Sequence, residues 1–394
     1  MTAYFLAKAG VRTAVIDANC FPRAKACGGG LQARAIAGIP FDITHLLRGT
    51  LSGITLSFGL RDACTRAYPE PLVYSILRTE FDHYLLLRAR EAGAVVYEGA
   101  AVRNCCLGSD GGVSVTTPMG ELRAHCLVGA DGANSLVRGI LNPRTSFFWQ
   151  AAVYCELPES DVDASRFTPD AMIVDWGTLP SGYAWAFPKR GYLNIGAGGP
   201  LSTARHLKAY ATRFAESAGL LKNGAARHMV LVGHQLPTLT SRSRFADKRV
   251  LLVGDAAGLV EPFTGDGISF ACQSAGIAAD SIIQALNGPN PDLTGYGPRL
   301  AASLGHELLW SRKLLSISIS FPKLIYKLFR SNDRVWSTFC RTLRGEETFH
   351  RLKKDVLGPF EFAWRAIDAF TQFRERAVLE SGPANQHFAR SLFK

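Results

Sequence analysis

The sequence lacks the short motifs of several common enzyme classes. It contains neither a GxSxG elbow nor a P-loop lysine motif, so it indicates no hydrolase or kinase of those types. None of its nine cysteines forms a CxxC pair, and its histidines show no HxxxH or His–Cys grouping, so no metal site is predicted. Low-complexity tracts are also missing. With 394 residues and 47% hydrophobic content, the chain suits one large domain or two closely associated domains.

Long hydrophobic runs are missing as well. The most apolar C-terminal stretch, residues 314–329, contains Pro322, Lys323 and Lys327. It falls short of the roughly 20 apolar residues that a membrane span needs, so we expect it to lie on a bilayer rather than cross one. Because no secretory leader is recognised, the expected location is the cytoplasm, with peripheral contact to the inner face of the membrane.

Acidic residues are scarce in the last quarter of the chain. The net charge is +11, and residues 299–394 contain 17 Lys/Arg but only nine Asp/Glu. A basic region with interleaved aromatic and leucine residues attracts nucleic acid, an anionic membrane surface or a polyanionic substrate. Because no nucleic-acid module accompanies it, a membrane or lipid partner is favoured over a plain solvated surface.

Helix–strand patterns typical of nucleotide-binding folds alternate along the chain with antiparallel-strand patterns. This alternation predicts an α/β fold with a Rossmann-like nucleotide-binding domain, an interleaved and mostly antiparallel β-sheet substrate domain, and a helical C-terminal region. The predicted nucleotide-binding parts are 1–48, 78–148 and 241–298. The predicted parts of the substrate domain are 49–77 and 149–240, and the basic helical region is 299–394.

The most specific signals are VGADGANS (128–135) and LLVGDAAGLVEPFTGDGI (251–268). In the second, an apolar strand delivers Asp255 to a sheet edge, where a carboxylate can hold a ribose or ribityl hydroxyl. Gly265 and Gly267 then lead into a helix whose first amides suit a phosphate or the pyrimidine edge of a flavin. The alternative is an ordinary strand, loop and helix with tight glycine turns.

These two segments together resemble the flavoprotein monooxygenase superfamily, which includes aromatic hydroxylases. Within it, PRAKACGGGL (22–31) and GYAWAFPKRGYLNIGAGG (182–199) resemble the geranylgeranyl reductase family of FAD-dependent oxidoreductases. The similarity covers nearly the whole chain. It implies FAD as cofactor, NADPH or reduced ferredoxin as electron donor, and a prenyl-chain lipid or prenyl diphosphate as substrate.

The resemblance also implies roles for individual residues. Asp17 and Arg78 would lie at the adenosine portion of FAD and Asp131 near the pyrophosphate. Pro262, Gly265, Gly267 and Ile268 would lie against the isoalloxazine ring. For Asp17, which ends a short strand, an ordinary surface turn is the alternative. The full set expected to bind FAD is Asp17, Arg78, Asp131, Gly132, Asp255, Pro262, Gly265, Gly267 and Ile268.

The CGGG turn is expected to pass close to the flavin, with Gly28 and Gly29 contacting substrate, because glycines let a chain approach a flat ring. Cys27 is either a proton donor, a redox partner or a small packed residue. The neighbouring cations Arg23 and Lys25 either contact phosphate or are solvated charges.

Tyr183, Trp185 and Phe187 are spaced by two residues, so on a strand they project from one face. That face suits either a long hydrocarbon chain or the back wall of an ordinary core, and the resemblance favours the first. Lys189 is expected to meet a diphosphate or acidic head group, or simply to be an exposed lysine at a strand end.

The chemistry implied is saturation of an isolated C=C bond in a prenyl chain, with hydride from reduced flavin and a proton from Cys27 or Tyr183. Two alternatives stay open. An NAD(P)H-using hydroxylase of aromatic or polycyclic substrates would share every FAD motif, and a non-catalytic flavin-fold or lipid-binding protein would share the fold.

The chain opens with MTAYFLAKAGVRTAVID, which reads as a helix followed by a strand. In the resembled family a strand and a GxGxxG turn come immediately before the positions of Ala3 and Tyr4. We therefore expect that the first strand and the pyrophosphate-binding amides are missing, through a misassigned start or a truncation. Weak or absent FAD binding by this chain, and exposed flanks on the neighbouring strands, are the corresponding expectations.

Overall fold

The structure is a computed structural model that describes residues 1–108, 111–141, 147–179, 182–239, 244–288 and 291–370. It confirms the predicted fold class, because parallel strand pairs with flanking helices are combined with a large, mostly antiparallel sheet and a helical C-terminal region. All nine cysteines lie within the described residues and are free thiols.

The strands are short outside the large sheet. They are β1 Ala14–Ile16, β2 Gly30–Gln32, β3 Leu47–Leu51, β4 Gly53–Phe58, β5 Cys64–Ala67, β6 Val73–Ile76, β7 Val95–Tyr97, β8 Asn104–Leu107, β9 Val113–Thr117, β10 Gly120–Ala124, β11 Leu127–Gly129, β12 Phe148–Pro158, β13 Ala171–Trp176, β14 Tyr183–Lys189, β15 Tyr192–Pro200, β16 Val232–Thr238 and β17 Val250–Leu252.

The helices concentrate after residue 268. They are α1 Thr2–Lys8, α2 Ala33–Ile36, α3 Arg78–Glu91, α4 Leu136–Leu141, α5 Ala204–Ser217, α6 Ile268–Leu286, α7 Tyr296–Leu300, α8 His306–Ser320, α9 Pro322–Ser331, α10 Asp333–Arg344 and α11 Phe349–Leu357, followed by helical residues 364–370.

The nucleotide-type motifs follow two parallel strand pairs. β1 pairs with β7, and β11 pairs with β17 so that Gly129 lies opposite Leu252. Since parallel strands end at the same edge, the turns carrying Asp131 and Asp255 leave this ladder side by side. Behind them, Leu251 and α6 residues such as Phe270 pack into one buried cluster, which fixes both turns on a rigid support.

The largest sheet has the strand order β16-β12-β15-β14-β13-β4-β5. Neighbours are antiparallel except for the β13–β4 pair. Side chains alternate between its two faces, as the period of two requires. Ile173 packs towards α5, whereas Met172 and Val174 pack towards the C-terminal helices. The sheet is therefore covered on both faces.

The C-terminal helices α8 to α11 pack on that second face through large apolar residues, including Phe329, Trp336 and Phe339. The predicted helical character of residues 299–394 is confirmed as far as residue 370, and residues 371–394 lie outside the described part. Among the described helices, none combines the length and the apolar character that crossing a bilayer requires.

Candidate functional site

One large cavity, of about 2310 Å³, lies between the nucleotide-type strands, the large sheet and the C-terminal helices. Almost all of the residues predicted from the sequence line it, although they come from distant segments. They are Asp17, Cys27, Gly28, Gly29, Arg78, Asp131, Gly132, Tyr183, Trp185, Phe187, Asp255, Pro262, Gly265, Gly267 and Ile268.

Asp17 and Arg78 lie where β1 and the start of α3 meet the cavity. The Asp17 carboxylate accepts a hydrogen bond from the Asn19 amide at 2.8 Å. Arg78 donates two hydrogen bonds to Asp82, at 2.7 and 2.8 Å, and Arg23 lies 3.3 Å from the same carboxylate. Burial opposes the Arg78 charge, but Cys27 and Asp82 outweigh burial and raise its pKa. Arg78 and Asp82 therefore form a fixed ion pair at the cavity. The sequence motifs did not indicate Asp82.

The CGGG turn lies directly on the aromatic strand β14. A Cβ at Gly28 would come within 2.9 Å of the Phe187 ring, and one at Gly29 within 2.4 Å of the Ile76 carbonyl oxygen. Gly29 also has φ +66°, which side chains rarely adopt. The Cys27 sulfur accepts a hydrogen bond from the Gly29 amide at 3.3 Å. This contact holds the thiol against the turn, close enough to Arg78 to influence the pKa of the guanidinium.

The three aromatic residues of β14 share one face, as their spacing predicts. Ring centroids are 5.6 Å apart for Tyr183 and Trp185, and 6.3 Å apart for Trp185 and Phe187. Trp185 donates a hydrogen bond to Asn194 at 2.8 Å, and a Cβ at Gly196 would lie only 2.2 Å from its ring. Gly196 thus leaves the room that this tryptophan occupies.

The structure places Lys189 neither at the substrate cavity nor on the surface, the two positions that the sequence suggested. Its side chain is fully buried, so an exposed strand-end lysine is wrong, and it does not line the large cavity. The Lys189 ammonium donates to Glu156 at 2.6 Å and lies behind the CGGG turn, 2.6 Å from where a Gly29 Cβ would be. Buried charges are found where a counter-charge satisfies them, so Lys189 is the partner of Glu156 rather than a cavity cation.

Asp255 follows β17 and faces two basic side chains. Lys25 lies 3.7 Å and His234 3.9 Å from its carboxylate. Burial alone would raise the pKa of Asp255, but His234, Lys25 and Arg78 reverse that effect and lower the pKa to about 2. Lys25 is therefore an ion-pair partner of Asp255, not a solvated charge. His234, which the sequence did not single out, has a buried Nε2 without a hydrogen-bond partner among the described residues.

The Asp131 carboxylate accepts hydrogen bonds from the start of α4. One carboxylate oxygen accepts from the amides of Leu136 and Val137, at 2.7 and 3.1 Å, and the other from the Ser135 hydroxyl. Such bonds satisfy free amides at the start of α4. Arg138 from the same helix donates to carbonyls in both glycine-rich turns. The predicted nucleotide contacts of Asp131 and Gly132 stay predictions.

The segment 262–267 is held by hydrogen bonds from two other strands. Gln150 donates to the Pro262 carbonyl at 3.1 Å, while the Tyr183 hydroxyl donates to the Thr264 carbonyl at 2.8 Å. A Cβ at Gly265, where φ is +76°, would lie 2.8 Å from that hydroxyl. One at Gly267 would lie 3.3 Å from Asp255. The segment is therefore a fixed part of the cavity wall, with bare backbone at its two glycines.

A buried cluster of ionisable residues, which no sequence motif indicated, supports this segment. Glu261 is fully buried and accepts hydrogen bonds from the Thr264 amide at 2.9 Å and from Ser311 of α8. Arg34 lies 4.0 Å from Glu261 and 3.2 Å from Asp266. Burial raises the pKa of Glu261 to about 7, against the opposing influence of Arg34 and the hydrogen bonds.

The Glu261 pKa predicts a pH-dependent stability. Because folding raises this pKa from 4.5 to about 7, the folded state binds more protons in that window, and stability falls as pH rises through it. In Glu261→Gln the free energy of unfolding should no longer fall between pH 4.5 and about 7 for this reason. The wild type and the variant should therefore differ in that fall by on the order of 3 kcal/mol. Denaturant unfolding at several pH values measures it, with the exposed Glu216→Gln as control. An unchanged slope in the Glu261 variant would contradict the assignment.

No protein-family model matches the sequence. An uncharacterized protein of Methanosarcina barkeri is 33% identical over 280 residues, covering 71% of this chain and 70% of its own. Digeranylgeranylglycerophospholipid reductase 2 of Methanothermobacter thermautotrophicus is 30% identical over 293 residues, covering 70% of each chain. A solved structure described as geranylgeranyl bacteriochlorophyll reductase-like, from Thermoplasma acidophilum, matches with a TM-score of 0.70 at 20% identity, covering 91% of this chain and 92% of its own.

Proposed function

Because the chain belongs to the family of geranylgeranyl and digeranylgeranylglycerophospholipid reductases, we propose that it is a FAD-dependent reductase that saturates C=C bonds of a prenyl chain. One observation supports this most strongly. A single cavity is lined by the acids of the nucleotide-type turns, the CGGG turn and the aromatic face of β14.

The cavity's donor set fits a flavin dinucleotide. Asp17 and Asp255 offer carboxylate oxygens for ribose or ribityl hydroxyls, and the buried His234 nitrogen is free to bond a ligand. Gly265 and Gly267 have no side chains, so a flat ring can approach the backbone there, between Pro262 and Ile268. Bound FAD, once reduced, supplies the hydride. We propose NADPH or reduced ferredoxin as the donor that reduces it.

The rest of the cavity suits a prenyl chain. Residues of the sheet and of the C-terminal helices form an apolar wall that includes Ile54, Leu56, Met172, Val174 and Leu343. An apolar wall excludes water, which protects a reactive reduced cofactor and holds the alkene in one orientation. We propose that the substrate is a prenyl-chain lipid or prenyl diphosphate whose chain lies along this wall and the β14 aromatics.

Cys27 is the proton donor that we propose, in preference to Tyr183. The Tyr183 hydroxyl already donates to the Thr264 carbonyl, and burial raises the pKa of its phenol. The Cys27 sulfur instead accepts a hydrogen bond from the Gly29 amide, which leaves its own proton to be donated. The neighbouring Arg78 would stabilise the thiolate formed when that proton leaves.

Flavin reoxidation without oxygen tests the proposal. The protein is given excess FAD, reduced chemically under argon and mixed with a digeranylgeranyl glycerophospholipid in detergent. We expect the absorbance of oxidised flavin to return as the alkene accepts electrons. A hydroxylase needs oxygen for turnover, so reoxidation only after air is admitted would contradict the reductase assignment. A saturated lipid of the same head group is the control.

A further inference from the structure

The corner where α8 ends and α9 begins, formed by residues 321–324, carries an apolar tip that the described protein does not cover. Phe321 is 38% exposed and Leu324 50% exposed. The opposite side of α9 is buried, because Ile325, Tyr326 and Phe329 pack into the hydrophobic cluster beneath the sheet. The Phe370 ring, itself exposed, lies 6.1 Å from Phe321 and extends the apolar tip. We call residues 321–324 the α8–α9 corner.

The sequence around this corner is cationic, although Lys313 is paired with Asp368. From residue 311 to residue 332 the sequence contains five Lys/Arg and no Asp or Glu. Lys323 and Lys327 are exposed on the same outward side of α9 as Leu324. An apolar tip flanked by lysines is the arrangement by which helices lie on anionic bilayers. Each lysine near such a surface contributes about 1 kcal/mol of attraction.

A second, smaller cavity lies directly behind the corner. Its volume is about 350 Å³, and Ser318, Ile319, Pro322 and Ile325 form its outer wall. Its inner wall is formed in part by Trp176, Tyr183, Phe263 and Leu315, which also line the large cavity. The same side chains thus form the boundary between the two spaces, so a single shared layer of side chains separates the small cavity from the aromatic face of β14.

We propose that the α8–α9 corner docks on an anionic lipid bilayer and that the prenyl chain enters the large cavity from the bilayer through the small cavity. The proposal rests on the proposed function. A prenyl chain in water exposes apolar surface at a cost of about 0.8 kcal/mol for each methylene group. A route that opens at the docked corner avoids that exposure.

Vesicle flotation tests the docking surface. We expect the protein to float with vesicles of phosphatidylcholine and phosphatidylglycerol but not with phosphatidylcholine alone. A Phe321→Ser/Leu324→Ser variant, or Lys323→Gln/Lys327→Gln, should bind about tenfold more weakly or worse. Val230→Ser, which removes an exposed apolar residue elsewhere, is the control. Unaltered flotation of both variants would overturn the proposal. A second result would also overturn it: a wild type that does not bind vesicles and forms a dimer, together with a Phe321→Ser/Leu324→Ser variant that does not dimerise. In that case a second copy of the chain would occupy the corner.

The route through the small cavity is tested by Ile319→Trp, which fills it. We expect at least a tenfold loss of turnover for prenyl lipid held in vesicles, with flotation, bound flavin and thermal unfolding unchanged. Unchanged turnover in that folded variant would overturn the route. The wild type is assayed in parallel with lipid in detergent. No turnover there would contradict the proposed function itself, whereas turnover there without vesicle docking would contradict only this proposal.

Discussion

Replacing Glu156 with leucine is expected to lower the free energy of unfolding by about 3 to 5 kcal/mol, the usual cost of leaving a buried charge without its partner. The stranded charge is the Lys189 ammonium, whose side chain is fully buried and 2.6 Å from Glu156. Urea unfolding followed by tryptophan fluorescence measures the change. Because Lys189 lies behind Gly29, removal of the Glu156 carboxylate should also make the CGGG turn less rigid.

The matched controls use the same pair. Lys189→Met leaves Glu156, whose side chain is 28% exposed and can be hydrated in part, so it should cost less than Glu156→Leu. Glu156→Leu combined with Lys189→Met should recover most of the stability, since two apolar side chains replace the ion pair. If Glu156→Leu alone changed stability by less than about 1 kcal/mol, the pair would behave as an exposed one and the assigned burial would be wrong.

Exchanging Cys27 for serine is expected to slow prenyl reduction by about a hundredfold or more, because a serine hydroxyl is a far weaker acid than a thiol and general acid catalysis contributes on that scale. Flavin content should stay unchanged. Tyr183→Phe should keep most of the activity, since its hydroxyl proton is already donated to the Thr264 carbonyl. The measurement is the rate of anaerobic flavin reoxidation in a single turnover.

Cys64→Ser is the control for this series, because Cys64 lies on β5 at the edge of the large sheet and does not line the large cavity. An unchanged rate in Cys27→Ser would remove the thiol from the reaction. A large loss in Tyr183→Phe with none in Cys27→Ser would instead transfer the role to the tyrosine. Bound-flavin absorbance in each variant separates a slow proton transfer from a lost cofactor.

Local sequence patterns predicted the parts of the site that depend on local geometry. The spacing of two in Tyr183, Trp185 and Phe187 fixes their common face, because side chains alternate along any strand. Likewise, the strand–turn–helix pattern of residues 251–268 places Asp255 at a sheet edge. These features need no knowledge of the distant chain.

The wrong expectation for Lys189 and the missed pair of Arg34 and Asp266 depend on distant partners. Lys189 on β14 is neutralised by Glu156 on β12, with β15 between those strands, and only the sheet order makes them neighbours. Arg34 reaches Asp266 across 232 positions of sequence. No local period encodes such pairs, so their burial and charge emerge only when the segments assemble.

The most direct test of the central claim is the mass of the lipid product. The chain is incubated under argon with excess FAD, a chemical reductant and a digeranylgeranyl glycerophospholipid, and the lipid is analysed by mass spectrometry. We predict a gain of two hydrogen atoms for every double bond saturated. A lipid of unchanged mass, in a sample whose flavin is demonstrably bound and reduced, would contradict the account.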